Sequence, residues 1–137
     1  MTLQALTAFW RVCKKNMQST YDRVQYYKIE KKQKEAIITK LQALLSSEQE
    51  IKLAWLFGSL IRRDSIRDID IAIHSEPKLT FKDFLNLNAQ IELELGIPVD
   101  MLEIDDAPQS LKGNIFASGI LIKGTRRLRQ KLQRASV

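Results

Sequence analysis

The stretch LFGSLIRRDSIRDIDIAI (residues 56–73) enters apolar, breaks at Gly58-Ser59, crosses a charged segment and turns apolar again. Upstream it continues IKLAWLF (51–57), an apolar run bounded by Gly58 that reads as a buried strand. Downstream, DIDIAIH (68–74) alternates strictly and reads as a second strand. Only nine residues, 59–67, join the two, too few for a parallel crossover, so the pair is expected to be antiparallel. IPVDMLEI (97–104) reads as a third strand, entered through Pro98. Phe81, Phe84, Leu85, Leu87, Ile91 and Leu95 fall at helical spacing between strands two and three. A helix of that length permits a parallel, right-handed crossover. The fold class is α/β (α+β), a small mixed sheet of three to four strands with helices packed on it.

The remainder fits around that sheet. Thr80 is placed to cap the 81–95 helix, and Gly96 to stop it. Ile37, Leu41, Leu44 and Leu45 mark a helix over 30–46. A short helix over about 108–118 and a terminal apolar ILI follow. At the other end, Leu3, Leu6, Trp10, Cys13, Met17, Thr20, Val24 and Tyr27 form a heptad-like seam, which predicts one helix over 3–28. A lone amphipathic helix must pack on its own domain or on a second chain, so a homodimer is one expectation. The division expected is an N-terminal helix (1–29), a core domain (30–124) and a basic C-terminal tail (125–137).

At 137 residues the chain is sized for one domain. No apolar run reaches the roughly 18 residues of a membrane span. The N-terminus lacks the basic start and continuous apolar core of a signal peptide, so a cytoplasmic location is expected. One cysteine (Cys13) and one histidine (His74) exclude an internal disulfide and a Cys/His zinc site. Cys13 reads as a packing residue. The net charge of +6 is concentrated: beyond Asp106 there are seven basic residues and no acidic one. That segment is either a solvated tail or a contact for nucleic acid or an acidic partner.

Alternation places Asp68 and Asp70 on one side of the second strand, roughly 7 Å apart. Antiparallel pairing brings Gly58-Ser59 to the same end of the sheet. Asp100, in PVDML near the start of the third strand, reaches that end as well. Three neighbouring carboxylates repel one another unless a cation intervenes. Mg²⁺ is held by a few carboxylates together with substrate phosphates. Gly58 permits close backbone approach, and Ser59 offers an N–H and a hydroxyl to a phosphate. These are the parts of metal-assisted phosphoryl or nucleotidyl transfer, in which a carboxylate can also accept the proton of the attacking hydroxyl. The plainer reading of Asp-x-Asp is a solvent-facing edge strand, and of Ser59 a helix cap. His74, on the same strand face but farther along, reads as structural. Asp105 and Asp106 read as caps of the following helix, and Trp10, Trp55 and Phe57 as core or interface.

LFGSLIRRDSIRDIDIAI followed by VDMLEI resembles the minimal nucleotidyltransferases of the DNA polymerase beta-like superfamily, over roughly residues 32–124. LKGNIFASGILIKG resembles their last helix and end strand. The resemblance implies a palm-like fold with Gly58 and Ser59 at the nucleotide phosphates and Arg62 as a further phosphate contact. It implies Asp68, Asp70 and Asp100 as metal ligands, with Asp100 also a base, Mg²⁺ (two ions) as cofactor, and ATP or another NTP as donor. It further implies a HEPN-type helical partner as acceptor, in toxin–antitoxin fashion. The spacer 60–67 is shorter than is usual in the family, and Arg67 stands where Ser is common. The rival roles are a binding module that neutralises a partner by contact, and a transferase acting on a nucleic acid or a small molecule.

Overall fold

The computed structural model describes residues 27–58 and 65–135. In chain order the elements are β1 (Tyr27–Lys28), α1 (Lys31–Ser46), β2 (Ile51–Phe57), β3 (Ser65–Ile66), β4 (Ile69–Ser75), α2 (Phe81–Leu95), β5 (Val99–Glu103), a 3-10 turn (Ile104–Asp106), α3 (Gln109–Ser118), β6 (Ile120–Lys123) and α4 (Arg126–Ala135). The main sheet has the order β5-β4-β2-β6. β4 and β5 are parallel, and the other two pairings are antiparallel. The mixed sheet, the antiparallel first pair and the parallel crossover are those read from the sequence. Among the described residues no helix is long and apolar enough to cross a membrane.

Strand alternation gives the sheet two apolar faces. Ala54, Leu56, Ile69, Ile71, Ile73, Val99 and Met101 meet Ile37, Leu41 and Leu45 of α1 and Leu87 and Ile91 of α2. On the opposite face Leu53, Trp55 and Ala72 pack with Ile104, Ile115 and Phe116, and Leu128 and Leu132 of α4 close over them. The Trp55 and Phe116 rings meet edge to face, with centroids 5.6 Å apart. That geometry suits the ring quadrupoles.

The helix ends are fixed chemically. Thr80 Oγ1 accepts the Asp83 N–H at 3.1 Å, and Gly96 ends α2 in the left-handed conformation (φ 71°). Lys123 Nζ donates to the carbonyls of Leu45 (2.6 Å) and Glu48 (2.7 Å), which satisfies the end of α1 and ties it to β6. Glu92 of α2 is buried, and its Oε1 accepts the Val99 N–H at 2.8 Å, pinning the start of β5.

Burial pushes the Glu92 carboxyl above its ordinary range, and the Val99 N–H opposes the shift. The folded chain therefore holds this proton more tightly than the unfolded chain. The stability linked to it is full below the unfolded value near about 4.3 and is lost as pH rises through the folded one. Glu92→Gln keeps an acceptor for Val99 and carries no charge. It is expected to melt at a higher temperature than the parent at pH 7, with the gap closing toward pH 4. A lower melting temperature at pH 7 would show that the charge itself stabilises the fold.

Two expectations change. The helix read over 3–28 does not include its last two residues: Tyr27 and Lys28 pair antiparallel with Ile66 and Ser65. There Tyr27 packs against the core. Residues 1–26, the rest of that helix, lie outside the described residues. The segment read as a basic tail carries α4. Thr125 Oγ1 accepts the Leu128 N–H at 3.1 Å, and Leu128 and Leu132, one turn apart, dock on the second core.

Candidate active site

Strand direction decides which residues meet. β2 ends where β4, β5 and β6 begin, so one end of the sheet collects Phe57-Gly58, Ile69-Asp70, Val99-Asp100 and Ile120. Phe57 is paired with Asp70, and Asp70 with Asp100, in one row across three strands. Neighbouring strands lie about 4.8 Å apart, which sets the spacing of the two carboxylates at the backbone. Asp70 alternates with Ala72, and Asp100 with Leu102, so both belong to the face that α3 and α4 cover farther along. Asp68 directly precedes β4 and is half-buried.

The carboxylates sense one another. Partial loss of water pushes the Asp100 carboxyl above its ordinary range, and the charge of Asp68 adds to the shift. Gly58 makes the close approach possible. Its φ is 78°, a region that favours glycine, and a Cβ there would overlap the Asp70 carboxylate. Gly58, at the end of β2, therefore lies against the Asp70 carboxylate.

Among the described residues no three His, Cys, Asp or Glu side chains already converge as ligands on one point. The topology aligns the acidic residues without closing a ligand shell. The donor set is nonetheless suited to a hard divalent cation: carboxylate oxygens on adjacent positions, whose mutual repulsion a cation would relieve. Such ions take only part of their shell from protein, and the rest from water and phosphate. Ser59 and Arg62, read as phosphate contacts, lie outside the described residues.

His74 is at the other end of the sheet, opposite Leu53. Its Nδ1 lies 2.8 Å from Asp105 Oδ2. Asp106 takes Lys78 Nζ at 2.6 Å. The capping roles read for Asp105 and Asp106 are corrected accordingly. Pro108 occupies the cap of α3, and the two aspartates sit in the 3-10 turn, where they bind side chains from β4 and from the β4–α2 connection. The sequence reading did not single out Ser75, Glu92 or Glu103, three buried polar residues. Ser75 Oγ donates to Glu103 Oε1 and accepts the Leu79 N–H at 3.1 Å. The signal was present: Glu103 holds the inward parity of Val99 and Met101, as Ser75 does that of Ile71 and Ile73.

Residues 39–127 match the family model "Polymerase beta, Nucleotidyltransferase", which is well over half of the chain. The chain belongs to the polymerase beta nucleotidyltransferase family. No curated protein matches. Among solved structures, the toxin–antitoxin MntA–HepT superposes with a TM-score of 0.62 at 22% identity, covering 74% of this chain and 82% of that one. A toxin–antitoxin structure with AMP-PNP gives 0.64 at 24% identity, covering 72% and 82%. A structure of tri-AMPylated Shewanella oneidensis HEPN toxin in complex with MNT antitoxin gives 0.63 at 22% identity, covering 75% and 82%. At these identities the likeness establishes a shared fold. The palm-like sheet expected of this family member is thereby found.

Proposed function

We propose that this family member is a Mg²⁺-dependent nucleotidyltransferase that moves AMP from ATP to a hydroxyl of a partner protein, a HEPN-type toxin, and so acts as an antitoxin. The observation that carries the reading is the row Phe57-Gly58, Asp70, Asp100, flanked by Asp68, at one end of a polymerase beta-type sheet. In support, chains of this fold occur in a toxin–antitoxin structure with AMP-PNP and in one whose HEPN toxin is AMPylated.

Asp68, Asp70 and Asp100 would hold Mg²⁺, which when bound neutralises phosphate charge and polarises the phosphoryl group. The remaining work falls to the chain. The Gly58 turn admits the triphosphate close to the backbone, with Ser59 and Arg62 as its further contacts. Asp100, whose proton affinity partial loss of water and the charge of Asp68 raise, accepts the proton of the acceptor hydroxyl. The freed oxygen bonds to the α-phosphorus, the bond from that phosphorus to the β-phosphate oxygen breaks, and pyrophosphate leaves. The domain presents no acceptor-binding module of its own among the described residues, so the partner would supply the acceptor.

The test incubates the full chain with ATP labelled at the α-phosphate, Mg²⁺ and a HEPN-type helical protein. Label should pass to the partner, and chelation of divalent ions should abolish transfer. A partner that is neutralised without acquiring label would assign the chain instead to contact-only binding.

A further inference from the structure

α4 is a second surface, independent of the carboxylate row. Its inner side is settled: Leu128 and Leu132 pack on the core, and Arg129 Nη1 donates to the Phe116 carbonyl at 3.1 Å. Its outer side presents Arg126, Arg127, Gln130, Lys131, Gln133 and Arg134, all exposed. Among the described residues none of these cations has an ion-pair partner. α3, β6 and α4 offer them no carboxylate side chain, because residues 107–137 contain no Asp or Glu.

We infer that the outer face of α4 binds the phosphate backbone of a nucleic-acid duplex without reading its sequence. Composition decides between this and an acidic protein. Protein interfaces are organised around a desolvated apolar or aromatic centre with charge at the rim. The outer face of α4 has no large apolar side chain; it is Arg, Lys and Gln throughout. Interfaces with nucleic acid are polar and strongly positive, and most of their hydrogen bonds go to phosphate and sugar. The same face lacks any aromatic on which an unpaired base could stack, which disfavours single strands. Arg127, Lys131 and Arg134 form one stripe at i, i+4 and i+7, about 10 Å long. A duplex passes about six phosphates, both strands counted, over that length. The helix is capped and docked, so the cations are arrayed before any ligand arrives, which lowers the cost of ordering them.

The test uses the full chain and fluorescence anisotropy with mixed-sequence duplexes of about 20 base pairs, one of RNA and one of DNA, from about 50 to 200 mM salt. Binding to either duplex, with log K falling as log salt rises, is expected. The stronger of the two identifies the natural source of the backbone. Replacing Arg127→Gln, Lys131→Gln and Arg134→Gln together should weaken binding about tenfold or more at low salt and reduce the salt slope by about 2–3. The charge-conserving set Arg127→Lys, Lys131→Arg and Arg134→Lys should retain both. No binding, a salt-independent affinity, or an unchanged slope in the glutamine set would overturn the inference. So would equal or tighter binding of polyglutamate, which would assign the face to an acidic protein. No nucleotide transfer is needed for the readout, so the result stands apart from the catalytic proposal.

Discussion

Asp70→Asn should lower AMP transfer by about three orders of magnitude, about 4 kcal/mol of transition-state stabilisation, while the chain still folds. Both halves follow from where the residue sits. Asp70 occupies the middle of the row, paired with Phe57 on one side and Asp100 on the other, with the Gly58 turn against its carboxylate. An amide there offers one weaker oxygen and a pair of N–H donors, and it subtracts a charge from any cation–phosphate arrangement spanning the row. Asparagine matches aspartate in shape, so the change alters charge and hydrogen-bonding capacity at this position and leaves its volume as it was. A variant crippled because it unfolds would show no cooperative melt, and this one should show one. Steady-state transfer of labelled AMP and a thermal melt on the same preparation separate the cases. Asp105→Asn is the matched control. It removes an aspartate that pairs with His74 at the other end of the sheet, and transfer should stay at the parental rate. Transfer by Asp70→Asn within a few fold of the parent would remove the carboxylate row from the mechanism.

The row was legible in the sequence because one periodicity and one loop length carry it. Alternation in DIDIAI fixes the side of Asp70, and the brevity of 59–67 fixes the antiparallel turn. Together they dictate that Gly58 and Asp70 share an end, which the register bears out. Asp100 needed the further inference of a parallel crossover through α2, supported by a long apolar period between Thr80 and Gly96. What was less legible depends on contacts distant in sequence. Tyr27-Lys28 continue the period of a helix, yet they pair with Ser65-Ile66, thirty-eight residues on, and no local signal marks that ladder. α4 has only two leucines among its charges, so its local composition reads as tail. The apolar surface that receives Leu128 and Leu132 is built from Trp55, Ile115 and Phe116. Asp105 and Asp106 precede a helix and so looked like caps. The turn they occupy faces the end of β4 and the connection after it, and His74 and Lys78 take them instead.

Trp55→Ala should be the most destabilising single change, by about 3 kcal/mol, at the lower end of the range for truncating a buried tryptophan. Trp55 is fully buried on a central strand, with β4 on one side and β6 on the other. Its ring meets Phe116 edge to face and forms the floor on which α3 and α4 rest. Removing it opens a cavity between the sheet and two helices of ten residues each, neither of which is stable alone. The lower end of the range applies because the indole Nε1 is buried with no partner among the described residues. An unpaired buried donor itself costs about 1–3 kcal/mol, and alanine relieves it. Trp55→Phe separates the two contributions. It keeps most of the ring and removes the donor, so it should cost less than about 1.5 kcal/mol. Urea titration of the parent and both variants reads these values directly. If phenylalanine proved as damaging as alanine, the indole N–H would have to be bonded in the folded chain, and this face of the core would owe its order to that hydrogen bond as well as to the ring.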